Sequence, residues 1–307
     1  MTGAPAAPVV AVRPSGGMRR AAQRTTASVA RRRAISRAME ALVFASVLVT
    51  LLPLALILGY LVLKGASALT LAFFIELPAP VGEPGGGVAN AIAGTILTVV
   101  GAAVIGLPLG VGAGVHLAEH PATMLARVVR FLADVLNGVP SIIFGIFAWQ
   151  FVVRPMGRFS AIAGMVALAA IMLPLVTRTT EEIVRTVPAP LREAALALGY
   201  PRWAASVHVV LRTALPGVVT GALVAIARVA GESAPLLFTT FGNPFWSLRL
   251  DAPIAALPLQ IFAFANSPYD SWHAQAWAAS LTLIGLMAFI TLLARFGTRR
   301  VGRDAPR

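Results

Sequence analysis

Six apolar runs, uncharged or nearly so, set the solvent for this chain before any other feature is considered. The first, Ala41 to Leu63, carries no charge, and at about 1.5 Å per helical residue it is long enough to cross a hydrocarbon core of ~30 Å. The others are Ala91 to Leu117, Phe131 to Val153, Ala161 to Val176, Leu215 to Phe238 and Gln275 to Ala294; the fourth is short and has the least defined borders. Pro108, Pro140 and Pro174 fall inside them, which membrane helices tolerate where neighbouring helices satisfy the freed backbone groups. Hydrophobic residues make up 58% of the chain and charged ones 12%, against about 25% charged in an average soluble domain. A secretory signal core of about 7–15 residues is shorter than the first run, although Ala66-Ser67-Ala68 after it resembles a cleavage site.

The net charge is +13. In a soluble protein this excess suggests nucleic acid. Here the cations cluster between apolar runs, so they report topology instead, and no nucleic-acid partner is expected. With the N-terminus inside, twenty of the 25 Lys and Arg residues fall on the inner side. Lys64, Arg154, Arg158 and Arg249 fall outside, and Arg228 lies within a span. The expectation is an all-α polytopic membrane protein of six transmembrane helices, with both ends in the cytoplasm and membrane lipid around it. Residues 1–40 form a basic tail, too poor in apolar residues in its first half to offset the entropy of ordering. An organellar transit peptide has a similar composition, but a cytoplasmic tail fits the remaining charges. The six-helix membrane domain covers 41–297, and 298–307 form a second basic tail.

With no cysteine, disulfides, thiolate metal sites and Cys nucleophiles are excluded. His116, His120, His208 and His273 form no metal-ligand spacing, and no nucleophile–base arrangement suggests an enzyme. There is no G-x-x-x-x-G-K-[ST] loop; the single lysine, Lys64, precedes Gly65. No cofactor is expected on this chain, and any ATP and Mg would be bound by a partner.

The segment of about 187–213 is longer than a connector needs. Leu191 to Leu198 is strong helix-forming sequence, Gly199 suits a helix stop, and Pro201 suits the first turn of a second helix running to Leu211. Such a helical hairpin either lies on lipid or docks a soluble partner. In the fifth run Arg228 and Glu232 are four residues apart, which puts them on one face of a continuous helix. Ionised residues at membrane depth usually face a bundle interior or a water-filled path, and a guanidinium fork suits phosphate oxygens. The alternative is an Arg228–Glu232 ion pair that stitches helices together. Arg178, ending the fourth run, is a candidate second fork. Asp134 and Asn137 suggest a helix start or interhelical hydrogen bonds. Trp149, Trp272 and Trp277 suggest interface anchors, and Phe245 to Trp272 a partly re-entrant outer cap.

The hairpin resembles the EAA motif of ABC importer permeases: Glu193-Ala194-Ala195, then Gly199, then Val209 and Leu211. Arg212 stands where that pattern usually has proline, which is displaced to Pro216. Three further stretches, Asp134 to Gly145, Leu173 to Glu182 and Pro216 to Thr239, resemble the PstA family of phosphate importer permeases from about residue 40 onward, with Ser233 where Thr is commoner. The resemblance implies a type I ABC importer permease in a bacterial inner membrane. It implies a PstC-like second permease subunit, a PstB-like ATPase dimer and an external PstS-like phosphate-binding protein. It assigns the anion path to Arg178, Arg228 and Glu232, and ATPase coupling to Glu193, Ala194, Ala195 and Gly199. The alternatives are a permease for molybdate or sulfate, a membrane enzyme acting on lipid phosphates, and a non-transporting scaffold.

Overall fold

The computed structural model describes residues 16–301 apart from 82 and 84, with side chains described over 31–292. By contacts the chain divides into Met1–Tyr60 and Leu61–Arg307. In the first unit the backbone is already helical from Gly16, in a helix (α1, Gly16–Gly65) that continues through the first apolar run. Where an irregular tail was expected over residues 1–40, the Ala- and Arg-rich composition instead supports helix, both being strong helix formers; residues 1–15 lie outside the described residues. Every side chain from Arg31 to Tyr60 is exposed, including Leu42, Phe44, Val49 and Ile57, the surface expected of a helix whose solvent is lipid.

The second unit contains α2 (Leu71–Ile75), α3 (Ala89–Glu119), α4 (Met124–Gly138), α5 (Ser141–Met156), α6 (Ala161–Arg185), α7 (Ala189–Ala197), α8 (Arg202–Ala230), α9 (Ala234–Leu237), α10 (Leu257–Ala265) and α11 (Asp270–Val301). Among the described residues there are no strands, only two isolated bridges. Five helices are long and apolar enough to cross a membrane, and the bent pair α4–α5 makes a sixth if it counts as one span.

The α3–α6 pair is the spine of this unit. Gly106, Gly110 and Gly114 repeat every fourth residue on α3 and lie against Met172, Val176 and Thr177 to Thr180 of α6. This small-residue stripe allows the backbones to approach closely. A Cβ at Gly114 would lie 2.6 Å from the Thr177 carbonyl oxygen. Gly114→Leu is therefore expected to destabilise the chain by about 1–3 kcal/mol through overpacking. Gly112→Leu, which meets nothing within 4 Å, should not. Thermal inactivation midpoints of the two variants in detergent check this; equal midpoints would contradict it. Val99, Leu168, Met172, Val229 and Leu236 fill the core beside the stripe.

Three expected spans take a different form. The third is no continuous helix: α4 and α5 meet at 106°. Pro140 provides no backbone N–H and disfavours helical backbone in the residue before it, and Val139 is extended at φ −75°, ψ 132°. The fourth continues past Val176 to Arg185, because its last turns are lined with Arg–Glu pairs. The fifth and the second hairpin helix are one helix: α8 runs unbroken from Arg202 to Ala230 through a π-helical stretch at Ala205–Leu211. It stops short of Phe238, since Pro235 has no N–H for Gly231 and its ring clashes with that carbonyl in a continued helix.

The segment after Thr240 folds back through Phe241 and Gly242, both at positive φ, into α10. The Leu257 N–H donates to Thr95 Oγ1 at 2.7 Å. Leu257, Pro258 and Leu259 are buried, and α10 packs against α3 and α11.

Candidate functional site

Arg228 lies in the last turn of α8, and Glu232 lies just beyond its end. The shared helix face expected from their spacing is therefore absent. Among the described residues the two make no ion pair, so the stitching pair that the spacing allowed is not formed. Both instead line a cavity of about 290 Å³ with Asn137, Pro140, Ser141 and Phe144. The break between α4 and α5 forms its other wall, so the same proline that bends the third span opens this space. Arg228 is exposed and Glu232 half-buried. An uncompensated guanidinium, an amide and a hydroxyl facing one cavity form a donor set suited to an oxyanion.

Arg178 does not line that cavity. Its Nε forms an ion pair with Asp134 Oδ1 of α4 at 2.8 Å, and its Nη1 donates to Glu181 Oε2. Glu181, whose side chain is 0% exposed, is the centre of a cluster. Its Oε1 also accepts from Arg130 Nε at 2.9 Å and Nη2 at 2.7 Å, and forms an ion pair with Arg185 Nη2 at 2.7 Å. Three guanidinium groups thus share two carboxylates, and α4 is fastened to α6. The structure separates the two arginines that the sequence suggested as partners: Arg178 is neutralised, and among the described residues Arg228 is not. Glu181 was missed by sequence reasoning. Arg178 and Arg185 lie three before it and four after it, a helical spacing that was readable. Arg130 is 51 residues away and needed the fold.

The hairpin is built as a Schellman turn. After α7, the Gly199 N–H donates to the Leu196 carbonyl at 3.0 Å and the Tyr200 N–H to the Ala195 carbonyl at 3.2 Å. Gly199 stands at φ +86°, a conformation that favours glycine. Glu193 and Ala194 are exposed, but Ala195 is 3% exposed and packs inward. Of the two alanines that the resemblance assigns to ATPase coupling, only Ala194 is therefore on the outer surface. Leu198, Tyr200 and Trp203 are exposed around the turn, an apolar tip that sequence reasoning did not single out.

Asp251 in the segment after Thr240 joins Arg249 and Arg158, each at 3.0 Å. Its hydrogen bond to Arg249 holds its carboxyl below the usual carboxylate range. His116 and His120 stack with ring centres 4.9 Å apart.

The family of binding-protein-dependent transport system inner membrane components matches residues 106–303. The chain is 46% identical over 265 residues to the phosphate transport system permease protein PstA of Yersinia pestis, covering 86% of this chain and 90% of that one. It is 45% identical over 237 residues to PstA of Xylella fastidiosa, covering 76% and 82%. The fold is similar to a chain of the inward-facing MetNI methionine ABC transporter, at TM-score 0.55 and 21% identity over 72% of this chain and 96% of that one.

Proposed function

The chain belongs to the PstA family of binding-protein-dependent inner membrane transport components, and we propose that it forms half of the translocation path of an ATP-driven phosphate importer. It is a permease subunit rather than an enzyme. The observation that carries the substrate reading is Arg228, which has no ion-pair partner among the described residues and faces a cavity at the break of the third span. Phosphate makes brief charge-assisted contacts with Arg228, while Asn137 and Ser141 offer neutral hydrogen bonds. Arg178 belongs to the same path at a stage when Asp134 and Glu181 release it. In the conformation seen here those two carboxylates pair with its guanidinium. Glu232 keeps the cavity from being uniformly cationic, so an anion is passed on rather than trapped.

The α7–α8 hairpin is the element on which the ATPase docks, through Glu193, Ala194 and the exposed tip at Leu198 and Trp203; Gly199 sets its turn. Because α8 is continuous with the hairpin, displacement of the tip acts along the helix that carries Arg228 in its last turn. A PstC-like chain supplies the other half of the path, a PstB-like dimer hydrolyses Mg-bound ATP, and a PstS-like protein delivers phosphate from outside. From the charge asymmetry we infer that both ends of the chain, the Arg178–Glu181 cluster and the hairpin belong to the cytoplasmic side.

The test is uptake of labelled phosphate at micromolar concentration in cells lacking this chain, with sulfate and molybdate as competitors. Restoration by the intact gene, insensitive to both competitors, is expected. Uptake that never depended on the chain, or that sulfate or molybdate abolishes, overturns the assignment.

A further inference from the structure

We propose that Glu119, the last residue of α3, is a positioning residue that clamps both arms of the hairpin and transmits their displacement to the α3–α6 spine. The inference rests on the hairpin being the ATPase-docking element. Glu119 Oε1 accepts from Arg192 Nη2 on α7 at 2.6 Å, and Glu119 Oε2 accepts from Ser206 Oγ on α8 at 3.1 Å. One carboxylate therefore holds two segments that lie 73 and 87 residues away in sequence.

The environment makes these bonds matter. The Glu119 side chain is 12% exposed and that of Arg192 31%. Arg192 Nε is buried without a partner, so among the described residues the bond to Glu119 is what offsets burial of this guanidinium. On α7, Arg192 and Ala195 are three apart and turned inward, while Leu191, Ala194 and Leu198 form the exposed face. Contact with the ATPase and contact with Glu119 thus use different sides of the same two turns.

The position of Ser206 gives the clamp its purpose. It lies within the π-helical stretch Ala205–Leu211, and one extra residue per turn is a local weakness in a helix. A push on the tip alone can be absorbed there as a bend. With Ser206 and Arg192 both held by Glu119, the push also reaches α3, and through the close-packed glycine face it reaches α6. Both walls of the path then move together.

The experiment uses the whole importer in proteoliposomes and measures labelled inorganic phosphate moved per ATP hydrolysed. Arg192→Gln is expected to lower that ratio about ten-fold, the weight of one charge-assisted hydrogen bond, with hydrolysis sustained. Ser206→Ala should lower it less, and the reversed pair Glu119→Arg with Arg192→Glu should recover part of the loss. An unchanged ratio in both single variants overturns the clamp. So does a parallel fall of flux and hydrolysis, the mark of a merely structural role. If the unaltered complex moves no phosphate, the substrate assignment fails by itself, and the clamp is read without solute. Spin labels at the exposed Leu196, outside the docking residues, and at Ile105 should then keep their separation when ATP is added and lose it in Arg192→Gln; a separation that behaves alike in both overturns the clamp.

Discussion

Replacing Arg228 with glutamine is expected to reduce phosphate uptake by at least about 100-fold, because two charge-assisted hydrogen bonds of about 1.5–3 kcal/mol each are lost from the path. Folding should be spared. Arg228 has no carboxylate partner among the described residues that its removal would strand, and it is exposed to the cavity rather than packed. The variant should therefore insert at the normal level and fail only in transport. Lysine at this position keeps the charge but loses the planar fork, so Arg228→Lys should fall between the two. The measurement is initial uptake rate normalised to the amount of chain in the membrane. A glutamine variant that transports at more than half the normal rate would remove Arg228 from the path.

Glu181→Gln is expected to have the largest effect on stability, about 3–5 kcal/mol, the cost of breaking a buried ion cluster by removing one partner. Arg130, Arg178 and Arg185 converge on this one carboxylate, which is 0% exposed. Removing its charge leaves three guanidinium groups with Asp134 alone. Asp134→Asn removes a carboxylate that is 53% exposed and should cost only about 0–1 kcal/mol, as exposed pairs do. Thermal inactivation and membrane-inserted yield distinguish the two. If the Asp134 variant proved the more damaged, the cluster would be organised around the wrong carboxylate in this account.

Much of this architecture was legible before any coordinates. Apolar runs of membrane-spanning length do not depend on tertiary context, so the existence of the long helices could be read directly. Their ends could not, because they are decided by local events that hydropathy averages away. Pro140 divided one run into two helices, Gly231 and Pro235 shortened another, and the paired charges from Arg178 to Arg185 extended a third. The hairpin turn was readable at Gly199, since the need for positive φ is written in the residue type. Its continuity with the fifth span was not, because Arg212 and Pro216 look like interruptions and the helix accommodates both.

The candidate site divides along the same line. Arg228 stands out in a sequence because a charge at membrane depth is costly. Its lack of a partner, and the cavity beside it, depend on where α8 stops. The Glu181 cluster and the Glu119 clamp are the reverse case. In each the distant partner is what the sequence hides: Arg178 and Arg185 stand at helical spacing from Glu181, but Arg130 is 51 residues away, and Arg192 and Ser206 are 73 and 87 residues from Glu119. The glycine stripe on α3 was readable as a four-residue repeat and went unnoticed inside a glycine-rich run.

The most direct test of the central claim is ATP-driven accumulation of labelled phosphate in proteoliposomes that contain this chain with its second permease subunit, ATPase and binding protein. The account predicts accumulation that needs ATP, needs this chain and is lost with Arg228→Gln while ATP is still bound and hydrolysed. Accumulation that persists without this chain, or equal accumulation with the Arg228 variant, would contradict it.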